Sequence, residues 1–176
     1  MEEEQIIIMY ELKDNFLSYD DFSNLSNLML GSDFPWFYND RKVEEYDGQY
    51  QFTHTFYRND SISSECFMYL EPIMKKFKPV ALLAVKANLT TKENKRTQSI
   101  LHCDGENLWG VRDGEKGWLT SIFYMNTNNG CTIFDDGTKI KSVANRFVTF
   151  PCSTKHAGIS CTDENIRVLI NFNYII

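Results

Sequence analysis

The spacing of apolar positions changes character near residue 80. Before it the helical period dominates. Phe22, Leu25, Leu28 and Met29 fall on one helical face behind Asp20 and Asp21, either of which can cap, and Gly31 closes that element. Ile62, Cys66, Leu70, Ile73, Met74 and Phe77 repeat at the spacing of an amphipathic helix across Ser61 to Phe77. Lys75, Lys76 and Lys78 suit its C-terminal dipole, and Pro79 stops it. Two strands interrupt this half. Gln5 to Leu12 is apolar and β-branched, and Gln51 to Tyr57 alternates aromatic, threonine and histidine, which puts His54 on a strand in a structural role. Phe34-Pro35-Trp36-Phe37-Tyr38 is a dense aromatic cluster, read as a plug of the core rather than a substrate contact.

After residue 80 the period becomes two, with turn signals between short runs. The expected strands are Val80 to Leu89, Ser99 to His102, Leu119 to Asn126, Cys131 to Phe134, Arg146 to Phe150, His156 to Ser160 and Arg167 to Tyr174. Asp113-Gly114, Asn128-Asn129-Gly130 and Asp135-Asp136-Gly137 mark turns. Thr90 to Thr97 is polar and charged and reads as a loop. Helices first and short strands afterwards predict a mainly β (α+β) chain. Its architecture would be a double-stranded β-helix, or jelly roll, with N-terminal helices packed on one sheet. A single domain over residues 1–176 is expected, residues 1–79 giving helical and strand support and residues 80–176 the jelly-roll core.

Composition narrows the function classes. The 176 residues are 43% hydrophobic and 14% aromatic, with 13 Phe and 9 Tyr, enough for one sheet-rich core. A formal charge of −6 with scattered Lys and Arg gives no support to a nucleic-acid partner. No apolar run has the length of a membrane span, and Met-Glu-Glu-Glu is the opposite of a signal-peptide start, so a soluble, cytoplasmic protein is expected. Cys66, Cys103, Cys131, Cys152 and Cys161 are odd in number and form no C-x-x-C, which favours reduced, buried thiols over a disulfide framework or a zinc site.

The candidate chemistry sits in three places. His102 and Asp104 stand two positions apart, so on an extended backbone imidazole and carboxylate leave the same face and can grip a metal, with Gly105 giving a sharp exit. His156 follows 52 residues after Asp104, at the start of a later strand that antiparallel pairing can bring alongside. Two imidazoles and one carboxylate on one side of a metal leave open positions on the other, the arrangement that suits non-haem Fe(II) oxygenases. Arg167, eleven positions after His156, shares a strand face with Leu169, Asn171 and Asn173. Pointing inward, its planar fork would receive a carboxylate.

With His102-x-Asp104, His156 and Arg167 in this order, the chain resembles the Fe(II)/2-oxoglutarate-dependent oxygenases, in particular the small prolyl-4-hydroxylase-like branch. The likeness runs from about Val80 to the C-terminus. Ser121 to Asn126 looks like the family's aromatic strand, Gly130 to Phe134 like its Gly-x-x-x-Phe segment, and Val148-Thr149-Phe150-Pro151 like the strand before the distal histidine. The resemblance implies that His102, Asp104 and His156 bind Fe(II). It implies that Arg167 holds the distal carboxylate of 2-oxoglutarate and that O2 is the second co-substrate. The reaction implied is a hydroxylation or other oxidation of an unactivated C–H bond, in a peptidyl proline, another amino-acid side chain or a small molecule. Halogenating relatives lack the carboxylate ligand that Asp104 supplies. Leu169 stands where many members carry a serine, and Phe123 where prolyl-hydroxylase-like members often carry a co-substrate tyrosine. Asn88, Tyr124 and Asn171 are therefore the candidates for the remaining co-substrate contacts, Asn88 sharing its strand face with Lys86. Selectivity is expected in the loop Thr90 to Thr97 and the cluster Phe34 to Tyr38. Two other readings stand beside this one. A cupin-like metalloenzyme without 2-oxoglutarate would ordinarily crowd more than three histidines into the chain, and a non-catalytic jelly-roll binding module would tolerate loss of His102.

Overall fold

A computed structural model describes residues 10–42, 48–104 and 117–176. The architecture is a jelly roll of two antiparallel sheets with helices on the outer face of the larger one. In chain order the elements are β1 (Glu11–Lys13), α1 (Tyr19–Met29), β2 (Phe37–Asn39), β3 (Gln51–Arg58), β4 (Ser61–Ile62), a 3-10 turn (Glu65–Leu70), α2 (Glu71–Phe77), β5 (Ala81–Thr91), β6 (Trp118–Tyr124), β7 (Cys131–Phe134), β8 (Lys139–Lys141), β9 (Arg146–Pro151), β10 (His156–Ile159) and β11 (Ile166–Ile175). The larger sheet runs β1-β9-β6-β11-β5-β3-β2, with β4 beside β3, and the smaller runs β10-β7-β8.

The central strand β11 shows how the pleat sorts side chains. Val168, Ile170, Phe172 and Tyr174 face outward into the main core, where Leu25 and Met29 of α1 and Leu70 and Ile73 of the helical segment meet Val85, Ala87, Phe123 and Phe147 of the sheet. The other face carries Arg167, Leu169, Asn171 and Asn173. Leu169 joins Ile122, Tyr124, Phe134, Ile140, Val148 and Phe150 in a second core between the sheets. The inner face is thus apolar under the smaller sheet and polar toward β5 and β3.

Several boundaries differ from the sequence expectation for local reasons. Ser18, not Asp20 or Asp21, caps α1, its Oγ accepting from the Asp21 N–H at 3.2 Å. The helix expected over Ser61 to Phe77 divides. Ser61–Ile62 pairs with Tyr57 and Arg58, and a 3-10 turn capped by Ser64 precedes α2, which begins where Pro72 fits the first turn. Ser99 to His102 is no regular strand and meets β10 only through the bridges Gln98–Ile159 and His102–His156. β5 continues to Thr91, because Thr90 and Thr91 pair with Arg167 and Ile166, so the loop starts two residues later than expected. Short strands β2 and β8 carry too few alternating positions to stand out in the sequence. The turn at Asp135-Asp136-Gly137 is present, with Gly137 at φ 86° donating its N–H to the Phe134 carbonyl at 3.0 Å. Asn128-Asn129-Gly130 does not close a hairpin within one sheet. It carries the chain from β6 in the larger sheet to β7 in the smaller. Gly105, the Asp113-Gly114 turn and residues 5–9 of the expected first strand lie outside the described residues.

The aromatic cluster splits. Phe34 is buried against His54 and Phe56, whereas Phe37 and Tyr38 on edge strand β2 are 60% and 64% exposed. His54 is structural, its Nδ1 2.8 Å from the Pro35 carbonyl and its Nε2 2.8 Å from Ser64 Oγ. Among the described residues no helix is long and apolar enough to cross a membrane.

Candidate active site

The centre is assembled where the chain leaves β5 and where it enters β10. The two segments exchange backbone hydrogen bonds, His102 N–H to the His156 carbonyl and His156 N–H to the His102 carbonyl, both 3.0 Å. The two rings lie 4.8 Å apart between centroids. Asp104 follows two residues after the bridge, with Oδ1 3.6 Å from His102 Nε2 and 3.9 Å from His156 Nε2. One ligand atom from each of the three residues lies within 4.8 Å of the other two.

Each ring is oriented by its second nitrogen. His102 Nδ1 is 3.1 Å from the Ile100 carbonyl and His156 Nδ1 is 3.0 Å from the Thr154 carbonyl. A carbonyl only accepts, so each ring donates through Nδ1 and turns its Nε2 toward Asp104. Burial, with His156 beside it, pushes the His102 imidazole below its ordinary range against the pull of Asp104, which favours a free lone pair on its Nε2. The carboxylate is likewise divided into a held and an offered oxygen. Asp104 Oδ2 accepts from Asn173 Nδ2 at 3.0 Å, Thr120 Oγ1 at 3.2 Å and Asn171 Nδ2 at 3.4 Å, leaving Oδ1 toward the imidazoles. Burial works against its ionisation, but the two histidines, Asn173 and Lys86 outweigh it and hold the carboxyl below the usual carboxylate range. Two imidazoles presenting Nε2 and one ionised carboxylate, with their outer atoms already fixed, fit a divalent metal of the iron type.

Arg167 lies across a cavity of about 100 Å³ that His102, Asp104 and His156 also line. The residue is 5% exposed. Its Nε donates to Ser142 Oγ at 2.9 Å and its Nη2 to Thr132 Oγ1 at 3.4 Å, and among the described residues no carboxylate pairs with it. Burial lowers its pKa, the mark of a cation held without counter-charge. The cradle is close. A Cβ on Gly130 would stand 2.8 Å from Arg167 Cδ, and one on Gly158 would stand 3.6 Å from Nη1.

The other sequence candidates separate. Asn88 and Asn171 line this cavity, and Asn171 Oδ1 is buried with no hydrogen-bond partner, as is Oγ1 of Thr90, which faces Arg167 across the strand pair. Tyr124 does not line it. Its ring lies 5.8 Å from the guanidinium carbon and its hydroxyl donates to Thr132 Oγ1 at 2.7 Å, so it supports Arg167 from behind. Phe123, where the family resemblance puts a co-substrate tyrosine, faces the outer core and is away from the site. Asn173 and Thr120, which hold Asp104, and Ser142 and Thr132, which hold Arg167, were not singled out by sequence reasoning. Asn173 was within reach of the strand period from Arg167. The other three become neighbours only through sheet pairing and the closure of the smaller sheet.

This fold is that of the 2-oxoglutarate/Fe(II) oxygenase structures. The chain aligns over 96% of its length with 96% of a viral collagen prolyl hydroxylase from Paramecium Bursaria Chlorella virus-1, solved as its 2OG complex, at 16% identity and TM-score 0.60. It aligns over 95% with 83% of a Trichoplax adhaerens prolyl hydroxylase bound to a hypoxia inducible factor peptide, at 13% identity and TM-score 0.64. The non-heme alpha ketoglutarate dependent carbocyclase SnoK from nogalamycin biosynthesis is covered to 79%, at 11% identity and TM-score 0.65. No protein-family model matches the chain, and no curated protein matches its sequence.

Proposed function

We propose that the chain is an Fe(II)- and 2-oxoglutarate-dependent oxygenase, acting as one domain, that hydroxylates or otherwise oxidises an unactivated C–H bond. The observation that carries this reading is Arg167, a buried guanidinium without a carboxylate partner among the described residues, lining the same cavity as the His102, Asp104 and His156 centre. A buried cation left unpaired costs several kcal/mol in principle, and a dicarboxylic co-substrate supplies the missing anion.

His102 Nε2, Asp104 Oδ1 and His156 Nε2 would hold the metal. Arg167 would pair with the distal carboxylate of 2-oxoglutarate, with Thr132 and Ser142 fixing the fork and Tyr124 behind it. Asn88, Asn171 and Thr90 offer the remaining polar contacts through their N–H and O–H donors, Thr90 Oγ1 being without a partner, whereas Asn171 Oδ1 only accepts and cannot bond the acceptor oxygens of the keto acid. When bound, the metal and keto acid supply O2 activation coupled to oxidative decarboxylation of 2-oxoglutarate. The primary substrate is peptidyl or a small molecule. Fold relatives described as prolyl hydroxylases favour hydroxylation of an amino-acid side chain, and the carbocyclase shows that this fold also carries other outcomes.

Equilibrium binding of 2-oxoglutarate under anaerobic conditions, with and without Fe(II), tests the proposal. Binding is expected to require the metal and to be lost in Arg167→Gln. Absence of metal-dependent binding in the unsubstituted protein overturns it and returns the reading to a binding module.

A further inference from the structure

A second, larger cavity of about 390 Å³ opens on the other side of the centre, toward β3 and the end of β2. It shares Lys86, Asn171, His102 and Asp104 with the first cavity. We propose that it is an anion-binding substrate cleft, in which Lys86 and Arg58 seat a carboxylate or phosphate group of the molecule to be oxidised. This rests on the oxygenase reading of the centre.

The charge balance of the lining opposes that of the chain. The protein carries −6 overall, yet among the described residues Arg41, Lys42, Arg58 and Lys86 line this cavity against one carboxylate, Asp104, whose Oδ1 faces the histidines. Arg41 meets Asp40 at 3.0 Å and Lys42 meets Glu93 at 3.8 Å. Among the described residues Lys86 and Arg58 form no ion pair and no side-chain hydrogen bond, Asp104 acting on Lys86 only from beyond ion-pair distance. Lys86 is set inward by the pleat of β5, directly opposite Thr55 on one side and Asn171 on the other. Arg58 pairs with Ala84, two residues before Lys86 on the same face, so the two cations stand diagonally on adjacent strands, at roughly 7 Å between Cβ positions. An ammonium drawn into the protein without an acceptor is costly, and a bound anion removes that cost.

Lys86 is not placed to share a carboxylate with Arg167. Register puts Thr90, not Lys86, opposite Arg167, and four residues of strand separate Thr90 from Lys86, roughly 13 Å. Asn171, opposite Lys86, contacts Asp104 Oδ2, so an anion on Lys86 would lie one strand away from the metal ligands. The remainder of such a ligand would then extend over the centre.

The test uses the full chain loaded with Zn(II), which is diamagnetic and redox-silent, and saturated with 2-oxoglutarate. Backbone amide NMR is followed during titration with acetate, inorganic phosphate and, as neutral control, acetamide. Saturable shifts around Thr55 and Lys86 are expected with an anion and not with acetamide, and the tighter of the two anions identifies carboxylate or phosphate. Lys86→Gln and Arg58→Gln should each weaken anion binding about tenfold, while Lys86→Arg retains it and controls for folding. At saturating Zn(II), affinity for 2-oxoglutarate should be unchanged in Arg58→Gln and Lys86→Arg and should fall far less in Lys86→Gln than in Arg167→Gln. The proposal is overturned if neither anion gives saturable shifts in the cleft, or if Lys86→Gln weakens 2-oxoglutarate as Arg167→Gln does, which would assign Lys86 to the co-substrate. Failure of the oxygenase reading is seen separately, as absence of Zn(II)-dependent 2-oxoglutarate uptake before any anion is added.

Discussion

His102 and His156 are joined by two reciprocal backbone hydrogen bonds of 3.0 Å, so main-chain pairing sets the separation of the two imidazoles. Removing a ring leaves that pairing intact. His102→Ala is therefore expected to abolish Fe(II) or Mn(II) binding while changing the stability of the metal-free protein by no more than about 1 kcal/mol. Chelator-competition metal titration beside urea unfolding separates the two effects, and a collapse of stability would show the ring to be structural.

Asn173 reaches the metal site only through Asp104. Its Nδ2 donates to Oδ2 at 3.0 Å and also to Thr120 Oγ1 at 3.0 Å, so it orients both the carboxylate and a second donor to it. Asn173→Ala should lower metal affinity by roughly 10- to 100-fold with all three ligands in place. Isothermal titration with Mn(II) measures this.

Arg167 should prove dispensable for folding. Its burial lacks a counter-charge among the described residues, so Arg167→Met is expected to leave the metal-free thermal midpoint unchanged or raised. The same substitution should weaken 2-oxoglutarate by about 2 kcal/mol or more, the scale of a lost charge-assisted contact. Scanning calorimetry and co-substrate titration on one preparation compare the two.

Gly130 is held by lack of room. A Cβ there meets Arg167 Cδ, Asn128 Oδ1 and the Ile159 carbonyl oxygen, each at 2.8 Å, and the carbonyl belongs to the backbone of β10. Gly130→Ala should cost about 1–3 kcal/mol and weaken 2-oxoglutarate by displacing the guanidinium. Urea unfolding checks the first part and a co-substrate titration the second.

Asp14 ties the segment after β1 to β9 through a two-pronged contact, Arg146 Nε to Oδ1 at 2.6 Å and Nη2 to Oδ2 at 2.9 Å. The Arg146 hydrogen bond holds the Asp14 carboxyl below its ordinary value. A depressed folded-state pKa gives stability that is complete above the unfolded value and disappears as pH falls through the folded one. The pair is partly exposed, so Asp14→Asn should cost only about 0.5–1 kcal/mol at pH 7. That difference should shrink to nothing once pH drops well below 4. Parallel urea curves across this range test the sign.

Much of the site is legible in the sequence. The i, i+2 placement of His102 and Asp104, the later His156, and the face shared by Arg167, Asn171 and Asn173 follow from the two-residue period of extended chain, a local property. Tyr124 and Phe123 mark where this ended. Adjacent residues on β6 must face opposite ways, but which one lies on the inner side behind Arg167 depends on register with β11, where Tyr124 meets Leu169 and Phe123 meets Ile170.

The alternation of the strands, the order of the ligands and the number of histidines available to bind metal reside in covalent spacing and side-chain chemistry, and so are read from the chain alone. That Thr120 and Asn173 hold Asp104 and that Ser142 and Thr132 hold Arg167 emerges only in the folded chain. Only there do Lys86 and Arg58 share a cavity beside the centre. Those relationships join residues far apart in the chain, and sheet register and closure bring them together.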